Sequence, residues 1–241
     1  MAKIADFEDR KVVINHTWAG NLAAYTDDIP FRNHVGNGAV FESDMIRDML
    51  EPYIKRSKYI YDIGAHTGHH TLAYATLNTD AHIYAFEPQP PMFKLLTINV
   101  MNNPERNKNI QLYNFAVGND HGKVCMEKDT FGGSAHIGVG GDEVKIIRID
   151  DMNPAGCDFM KIDVEGYEYN VIEGAIDTIR KFRPVICFED NGSGVKNDIT
   201  DKSAKQLLIE NEYVVHDLVY DNFIALPIVK SKFRNASGIA P

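Results

Sequence analysis

Five short runs of β-branched and aromatic residues recur between residues 58 and 190, separated by longer stretches with apolar residues every three to four positions. Tyr59 to Ile63, His82 to Phe86, Ile110 to Ala116, Phe159 to Ile162 and Val185 to Phe188 read as strands. Leu72, Ala73, Ala75 and Leu77 form one helical stripe, and Met92, Leu95, Leu96 and Val100 a second. Val171, Ile172, Ala175, Ile176 and Ile179 form a third. This alternation predicts an α/β fold with a mostly parallel sheet covered on both faces. Crossovers in such sheets are right-handed, so the C-terminal ends of the strands share one edge, and ligands bind there.

The flanks read differently. Residues 1–57 are mixed: they hold the single Trp18, a turn at Gly36-Asn37-Gly38, and a helix starting near Ser43. Ser43 is its expected cap, with Met45, Ile46, Met49 and Leu50 on one face. Residues 191–241 give a polar loop, one helix and a final hairpin, with a frayed tail expected from Ser231. No internal repeat is present.

Composition narrows the function classes. With 44% hydrophobic and 24% charged residues in 241, the chain has ordinary globular composition, which excludes disorder, collagen-like repeats and coiled coil. Twenty-five Lys and Arg against 34 Asp and Glu give a formal charge of −9, so the electrostatic footprint of a nucleic-acid binder is missing. No run of 18 apolar residues exists, and no membrane span is expected. The stretch from Met1 to Lys11 is dense in charge and lacks an apolar core, so no secretory signal is read there. Cys125, Cys157 and Cys187 form no CxxC, and their odd number argues for free thiols and a cytoplasmic setting.

The sharpest local signal is the strand–glycine turn–helix from Asp62 to Gly68. Gly64 permits a tight turn and a close ligand approach, and the following helix offers unpaired N–H groups. Glu87 ends the second strand 23 residues after Gly64, where a carboxylate can accept from both ribose hydroxyls. A dinucleotide fingerprint, G-x-G-x-x-G, needs a second glycine to admit a pyrophosphate; His66 stands there instead. A nucleoside cofactor without phosphates tolerates that side chain, and S-adenosylmethionine is such a ligand.

Five ordered motifs carry a resemblance. Tyr61-Asp62-Ile63-Gly64-Ala65-His66-Thr67-Gly68, Tyr84-Ala85-Phe86-Glu87-Pro88, Ala116-Val117-Gly118, Arg148-Ile149-Asp150-Asp151 and Lys161-Ile162-Asp163-Val164-Glu165-Gly166-Tyr167-Glu168 resemble the motifs of FkbM-type S-adenosylmethionine-dependent methyltransferases. They span about residues 58 to 190; His66 replaces the family's usual Asn, and little matches before residue 58. The resemblance implies a Rossmann-like class I methyltransferase fold: a seven-stranded, mostly parallel sheet ending in an antiparallel hairpin, here Tyr213 to His216 and Phe223 to Leu226. It also implies an extra hairpin, Lys123 to Glu127 with Val144 to Ile149. The glycine-rich loop between them, with Ser134 and His136, would lie over the site. The implied organisation is a pocket-capping segment at 1–57, a methyltransferase domain at 58–230 and a flexible tail at 231–241.

The implied cofactor contacts are Glu42, Asp62, Gly64, Ala65, His66, Thr67, Gly68, Glu87, Pro88, Ala116, Val117 and Asp163. Glu42, in a segment faintly similar to the family's pocket closure, would receive the methionyl amino group. The catalytic candidates are Asp163, Glu165, Glu189 and His136, as groups able to accept a hydroxyl proton. A metal is the alternative, with Asp163, Asp190 and Asn191 converging oxygen ligands on a hard cation such as Mg2+. His66, His69 and His70 have no accompanying cysteine or carboxylate at ligand spacing, so zinc is disfavoured; His69 and His70 are expected half-buried or solvated. The favoured activity is O-methylation of a hydroxyl on a sugar, glycan or small molecule. Methylation of protein or RNA is one alternative, and a non-catalytic cofactor-binding module the other.

Overall fold

A computed structural model describes residues 1–127, 136–138, 140–192 and 202–229. The chain opens with an antiparallel meander of β1 (Lys3–Phe7), β2 (Arg10–Thr17) and β3 (Gly20–Tyr25), followed by α1 (Ile29–Gly36). A π-helical turn, Met45–Leu50, runs into α2 (Glu51–Ile54). The helix read from Ser43 is therefore short, and its first turn is widened to i→i+5 hydrogen bonding, a feature frequent at functional sites. Ser43 does not cap it: its Oγ accepts from Trp18 Nε1 at 2.8 Å. Met45, Ile46 and Leu50 are buried as expected, while Met49 is exposed.

Strand–helix alternation follows: β4 (Tyr59–Ile63), α3 (His69–Leu77), β5 (His82–Phe86), α4 (Pro90–Met101) and β6 (Ile110–Tyr113). Four short strands come next, β7 (Ala116–Val117), β8 (Gly122–Glu127), β9 (His136–Gly138) and β10 (Asp142–Ile147). The chain then continues through β11 (Phe159–Ile162), α5 (Glu168–Gly174), α6 (Ile176–Phe182), β12 (Val185–Glu189), α7 (Ala204–Glu210), β13 (Tyr213–Asp217) and β14 (Asn222–Pro227). The main sheet has seven strands in the order β13-β14-β12-β11-β4-β5-β6. β6, β5, β4, β11 and β12 are mutually parallel, and β14 pairs antiparallel with both β12 and β13.

Two strand and helix boundaries depart from the sequence pattern. The third strand stops at Tyr113, because Asn114 turns its side-chain amide onto the Glu87 and Pro88 carbonyls at 2.8 and 3.0 Å. Ala116–Val117 then joins a second sheet, β7-β10-β8-β9, pairing parallel with β10. The stripe from Val171 to Ile179 is carried by two helices, not one. The Asp150 carboxylate accepts from the Asp177 and Thr178 amides and so starts α6 afresh as a cap from outside the helix. The stripe still packs as one, since Val171, Ile172, Ala175 and Ile179 share a buried cluster.

Apolar clusters cover both faces of the main sheet. On one face Leu22, Val35, Val40 and Met45 of the N-terminal segment share a core with Leu72 of α3 and Leu96 of α4. Two asparagines of α4 bind the meander to that face. Asn99 exchanges hydrogen bonds with Ala23 (2.8 and 2.9 Å), and Asn103 with Asn21 (2.8 and 2.8 Å), completing the backbone pairing of an edge strand. Among the described residues no helix is long and apolar enough to cross a membrane.

Candidate active site

The glycine turn after β4 is braced on three sides. The Gly64 and Ala65 amides both donate to the Phe86 carbonyl at the end of β5. Gly64 has φ +86, and a Cβ there would stand 1.8 Å from the Asp163 carbonyl at the end of β11. Gly68 has φ +85, and its Cβ would meet Leu96 Cδ1 at 2.6 Å. Each glycine is thus demanded by a neighbouring element as well as by the turn.

This bracing divides the first motif. Gly64 and His66 line a cavity of about 650 Å³ at the strand tips, a volume suited to a cofactor and a small substrate. Asp62, Ala65, Thr67 and Gly68, also read as cofactor contacts, are not among the residues that line it. The Asp62 carboxylate is 1% exposed and accepts from Thr71 Oγ1 at 2.5 Å, anchoring the first turn of α3; burial raises it to about 6. Thr67 is fully buried, and its carbonyl accepts from Asn99 at 2.7 Å.

The other expected contacts do meet in the cavity: Glu42, Glu87, Pro88, Ala116, Val117, Asp163, Glu165 and Glu189 all line it. Glu87 Oε2 accepts from the His66 amide at 2.9 Å and Oε1 from the Gln89 amide at 2.7 Å. Its carboxylate is thereby fixed at the tip of β5, and burial raises it to about 7. Four cavity residues, Glu42, His66, Glu165 and Tyr220, hold positive φ of 53°, 50°, 55° and 57° without being glycine. Such conformations cost about 1–3 kcal/mol each and gather at functional sites.

The acids after β11 and β12 form a graded set. Asp163, Glu165 and Glu189 bring carboxylate oxygens within 4.8 Å of one another. Lys161, fully buried on β11, places Nζ 3.2 Å from Asp163 Oδ2. Burial works against the Lys161 charge, but Asp163 overcomes it and the ammonium is held more firmly than in water. Burial also works against the Asp163 anion; Lys161 outweighs it and lowers the group below the usual carboxylate range. Glu189 moves the other way. Burial and the adjacent Asp163 charge raise it to about 9, so at neutral pH it carries a proton shared with Asp163.

Of the metal set read from the sequence, Asp163 alone belongs to this cluster. Asp190 and Asn191 do not line the cavity, and the Asp190 amide pairs with the Asp221 carbonyl at 3.0 Å. His136 lies on β9 by its backbone; its side chain, and the loop residues 128–135 with Ser134, fall outside the described residues.

The remaining wall comes from the N-terminal segment. Phe31 stacks between Phe41 (4.5 Å) and His66 (4.4 Å), and Asp28 places Oδ2 3.3 Å from His66 Nε2. His70 Nε2 stands 3.3 Å from Glu42 Oε2. His69 is 1% exposed and His70 packs beneath Phe41, so neither is solvated. Burial lowers His66 to about 4 and His70 to about 3, leaving both neutral.

Sequence reasoning missed Asp28, Phe31, Met126, Ile137 and Tyr167, which all line the cavity. It also missed two residues that shape the site from behind. One is Lys161; the other is Glu168, whose carboxylate accepts from the Val164 and Gly166 amides at 3.1 and 3.2 Å and folds the 164–166 loop. Asp28 followed by Pro30 is a legible helix start, but nothing in it points to a cavity.

A seven-stranded sheet with an antiparallel terminal hairpin, and a cavity at the tips of its parallel strands, defines a class I methyltransferase fold. Within that class the chain belongs to the FkbM methyltransferase domain family, whose model matches residues 62–213. It is 26% identical over 152 residues to hexuronic acid methyltransferase AglP of Haloferax volcanii, aligning 60% of this chain with 61% of that protein. Among solved structures it resembles the FkbM methyltransferase of Methylobacillus flagellatus, with TM-score 0.53 and 19% identity over 70% of this chain and 43% of that one. It also resembles a SAM-dependent O-methyltransferase of Thermotoga maritima, with TM-score 0.50 and 11% identity over 95% of this chain and 86% of that one. The chain thus spans under two thirds of the length of AglP and less than half of the Methylobacillus protein.

Proposed function

We propose that the chain transfers a methyl group from S-adenosylmethionine to a hydroxyl of a sugar, glycan or small molecule. The observation that carries this reading is Glu87: its carboxylate, held by the His66 and Gln89 amides, opens into the same cavity as Asp163, Glu165 and Glu189. Glu87 would accept from the ribose hydroxyls, and Pro88, Ala116 and Val117 give the wall beyond it. Glu42 suits the methionyl amino group: its Oε1 accepts from Asn222 at 3.1 Å, while its buried Oε2 has no hydrogen-bond partner. Residues 28–44 then cap the cofactor against the core. When bound, the cofactor supplies a methyl already activated on sulfonium.

This chain must then orient the acceptor and take its proton. Asp163, kept ionised by Lys161, is the group suited to accept that proton. Glu189 enters as a neutral acid hydrogen-bonded to Asp163, not as the base. The free, partly buried thiols support a reducing, cytoplasmic setting, and the relative's name supports a sugar acceptor. Calorimetric titration with S-adenosylhomocysteine tests the reading: saturable 1:1 binding is expected, and its absence removes it.

A further inference from the structure

Resting on the methyl-transfer reading of this cavity, we infer that its acceptor meets the protein through hydrogen-bond donors and carries no carboxylate: a neutral or amino sugar, not a uronic acid. Among the described residues seven carboxylates line the cavity and no Lys or Arg does. The nearest fixed cation, Lys161, is fully buried behind Asp163 and already paired with it. Of the two histidines that line it, His66 is neutral through burial, and His34 sets its Nδ1 2.8 Å from the Pro30 carbonyl.

The hydrogen-bond inventory points the same way. Both oxygens of Asp28 lack a hydrogen-bond partner although the residue is fully buried and lines the cavity. Burial raises Asp28 to about 6 and the Phe31 amide at the start of α1 partly offsets this, but that contact falls short of a well-aligned cap hydrogen bond. His66 Nε2, at 3.3 Å, is likewise without a hydrogen bond. Glu42 Oε2 is a second buried acceptor without a hydrogen bond, with His70 Nε2 standing 3.3 Å away. Glu42 is accounted for by the cofactor's amino group; Asp28 is not. Buried acceptors are costly unless a donor reaches them, so whatever fills the cavity must bring O–H or N–H groups. A hydroxyl or ammonium does so. A carboxylate only accepts, and beside Asp163 and Glu165 it adds like-charge repulsion.

This separates the chain at the acceptor from the relative named as a hexuronic acid methyltransferase. Asp28 lies outside residues 62–213, which match the family.

The test is a titration of the full chain, saturated with S-adenosylhomocysteine, by methyl glucoside, glucosamine and glucuronate, with and without Mg2+. Glucosamine or the glucoside is expected to bind at least ten-fold tighter than glucuronate in both conditions. Asp28→Asn keeps a good helix cap and Glu165→Gln keeps shape; each is expected to narrow that ratio several-fold. Glucuronate binding as well as the others overturns the inference, as do three alike responses, including no binding by any. Parity reached only with Mg2+ also overturns it, and assigns the acidic cluster to a cation. Should S-adenosylhomocysteine itself fail to bind, the methyl-transfer reading falls, while the same sugar comparison on the free protein still decides the charge preference.

Discussion

Lys161 and Asp163 stand two residues apart on either side of the end of β11, with Nζ 3.2 Å from Oδ2 and the lysine fully buried. Removing the ammonium leaves a largely desolvated carboxylate without its counter-charge. Lys161→Met is expected to destabilise the fold by about 3 kcal/mol, the lower end for a broken buried pair because Asp163 keeps some solvent contact. Urea denaturation measures it. A cost under about 1 kcal/mol would show that the pair is not a structural anchor.

Glu87→Ala is expected to weaken S-adenosylhomocysteine binding by about 1.5–3 kcal/mol, the cost of a lost charged acceptor. Calorimetry reads it, with thermal melting as the check that the fold persists. Unchanged affinity would remove Glu87 from the cofactor site.

Gly64→Val separates a steric from a ligand role. The added Cβ would lie 1.8 Å from the Asp163 carbonyl, a backbone atom of the neighbouring strand end, at φ +86. Strain and overpacking together are expected to cost about 2–6 kcal/mol, so the variant loses stability before its ligand affinity can be read. At Gly68 the obstacle is the end of a Leu96 side chain, and Gly68→Ala should cost less. A stable Gly64→Val protein that merely fails to bind would restore the glycine to a ligand role.

The buried acids set a pH dependence. Glu189 is raised to about 9, Glu87 and Glu168 to about 7, chiefly by desolvation. A carboxyl with a folded pKa above its unfolded one binds protons more readily when folded. Its contribution is therefore greatest at low pH and is lost as pH rises from the unfolded value toward the folded one. The ligand-free protein is expected to melt at a higher temperature near pH 5.5 than near pH 8.5, and Glu189→Gln should flatten the slope. The buried His66, His69 and His70, whose pKa values are lowered, act oppositely as pH falls below about 6.5 and offset part of the gain near pH 5.5, while Asp163, also lowered, does so only below the ordinary carboxylate range. A melting temperature that rises steadily from pH 5.5 to 8.5 contradicts this assignment.

Asp163→Asn is expected to hold cofactor affinity within a few-fold and to lose most of kcat, since a positioned base is worth roughly 10²–10⁴ in rate. Methyl transfer to an identified acceptor measures it. An EDTA arm divides direct base chemistry, which is indifferent to chelation, from a metal held by Asp163, Glu165 and Glu189. Normal turnover by the variant would make the β11 tip structural.

Periodicity alone located the five parallel strands and the apolar faces of their helices, because both patterns are local: period two or a short apolar run for strands, 3.6 for helices. The ordered motifs located Glu87, Asp163 and Glu165, and the fifth strand run located Glu189, at strand ends, and topology brings strand ends to one edge. What tertiary structure decided was which side chain of a motif faces the cavity. Asp62, at the end of β4, and Thr67, in the turn, flank Gly64 and His66, yet the Asp62 carboxylate is taken by Thr71 and the buried Thr67 gives its carbonyl to Asn99, because α3 and α4 close over them. The end of the third strand was set by Asn114 reaching the Glu87 and Pro88 carbonyls, and the division of the α5–α6 stripe by Asp150 capping from a distant loop. The charge states were equally illegible in sequence: Lys161, Asp163 and Glu189 differ from ordinary groups because burial removes water from all three while leaving them within reach of one another. Asp28 belongs to the cavity for the same kind of reason, since a helix-start aspartate becomes a binding acceptor only where packing buries it at a cavity wall without a well-formed side-chain hydrogen bond.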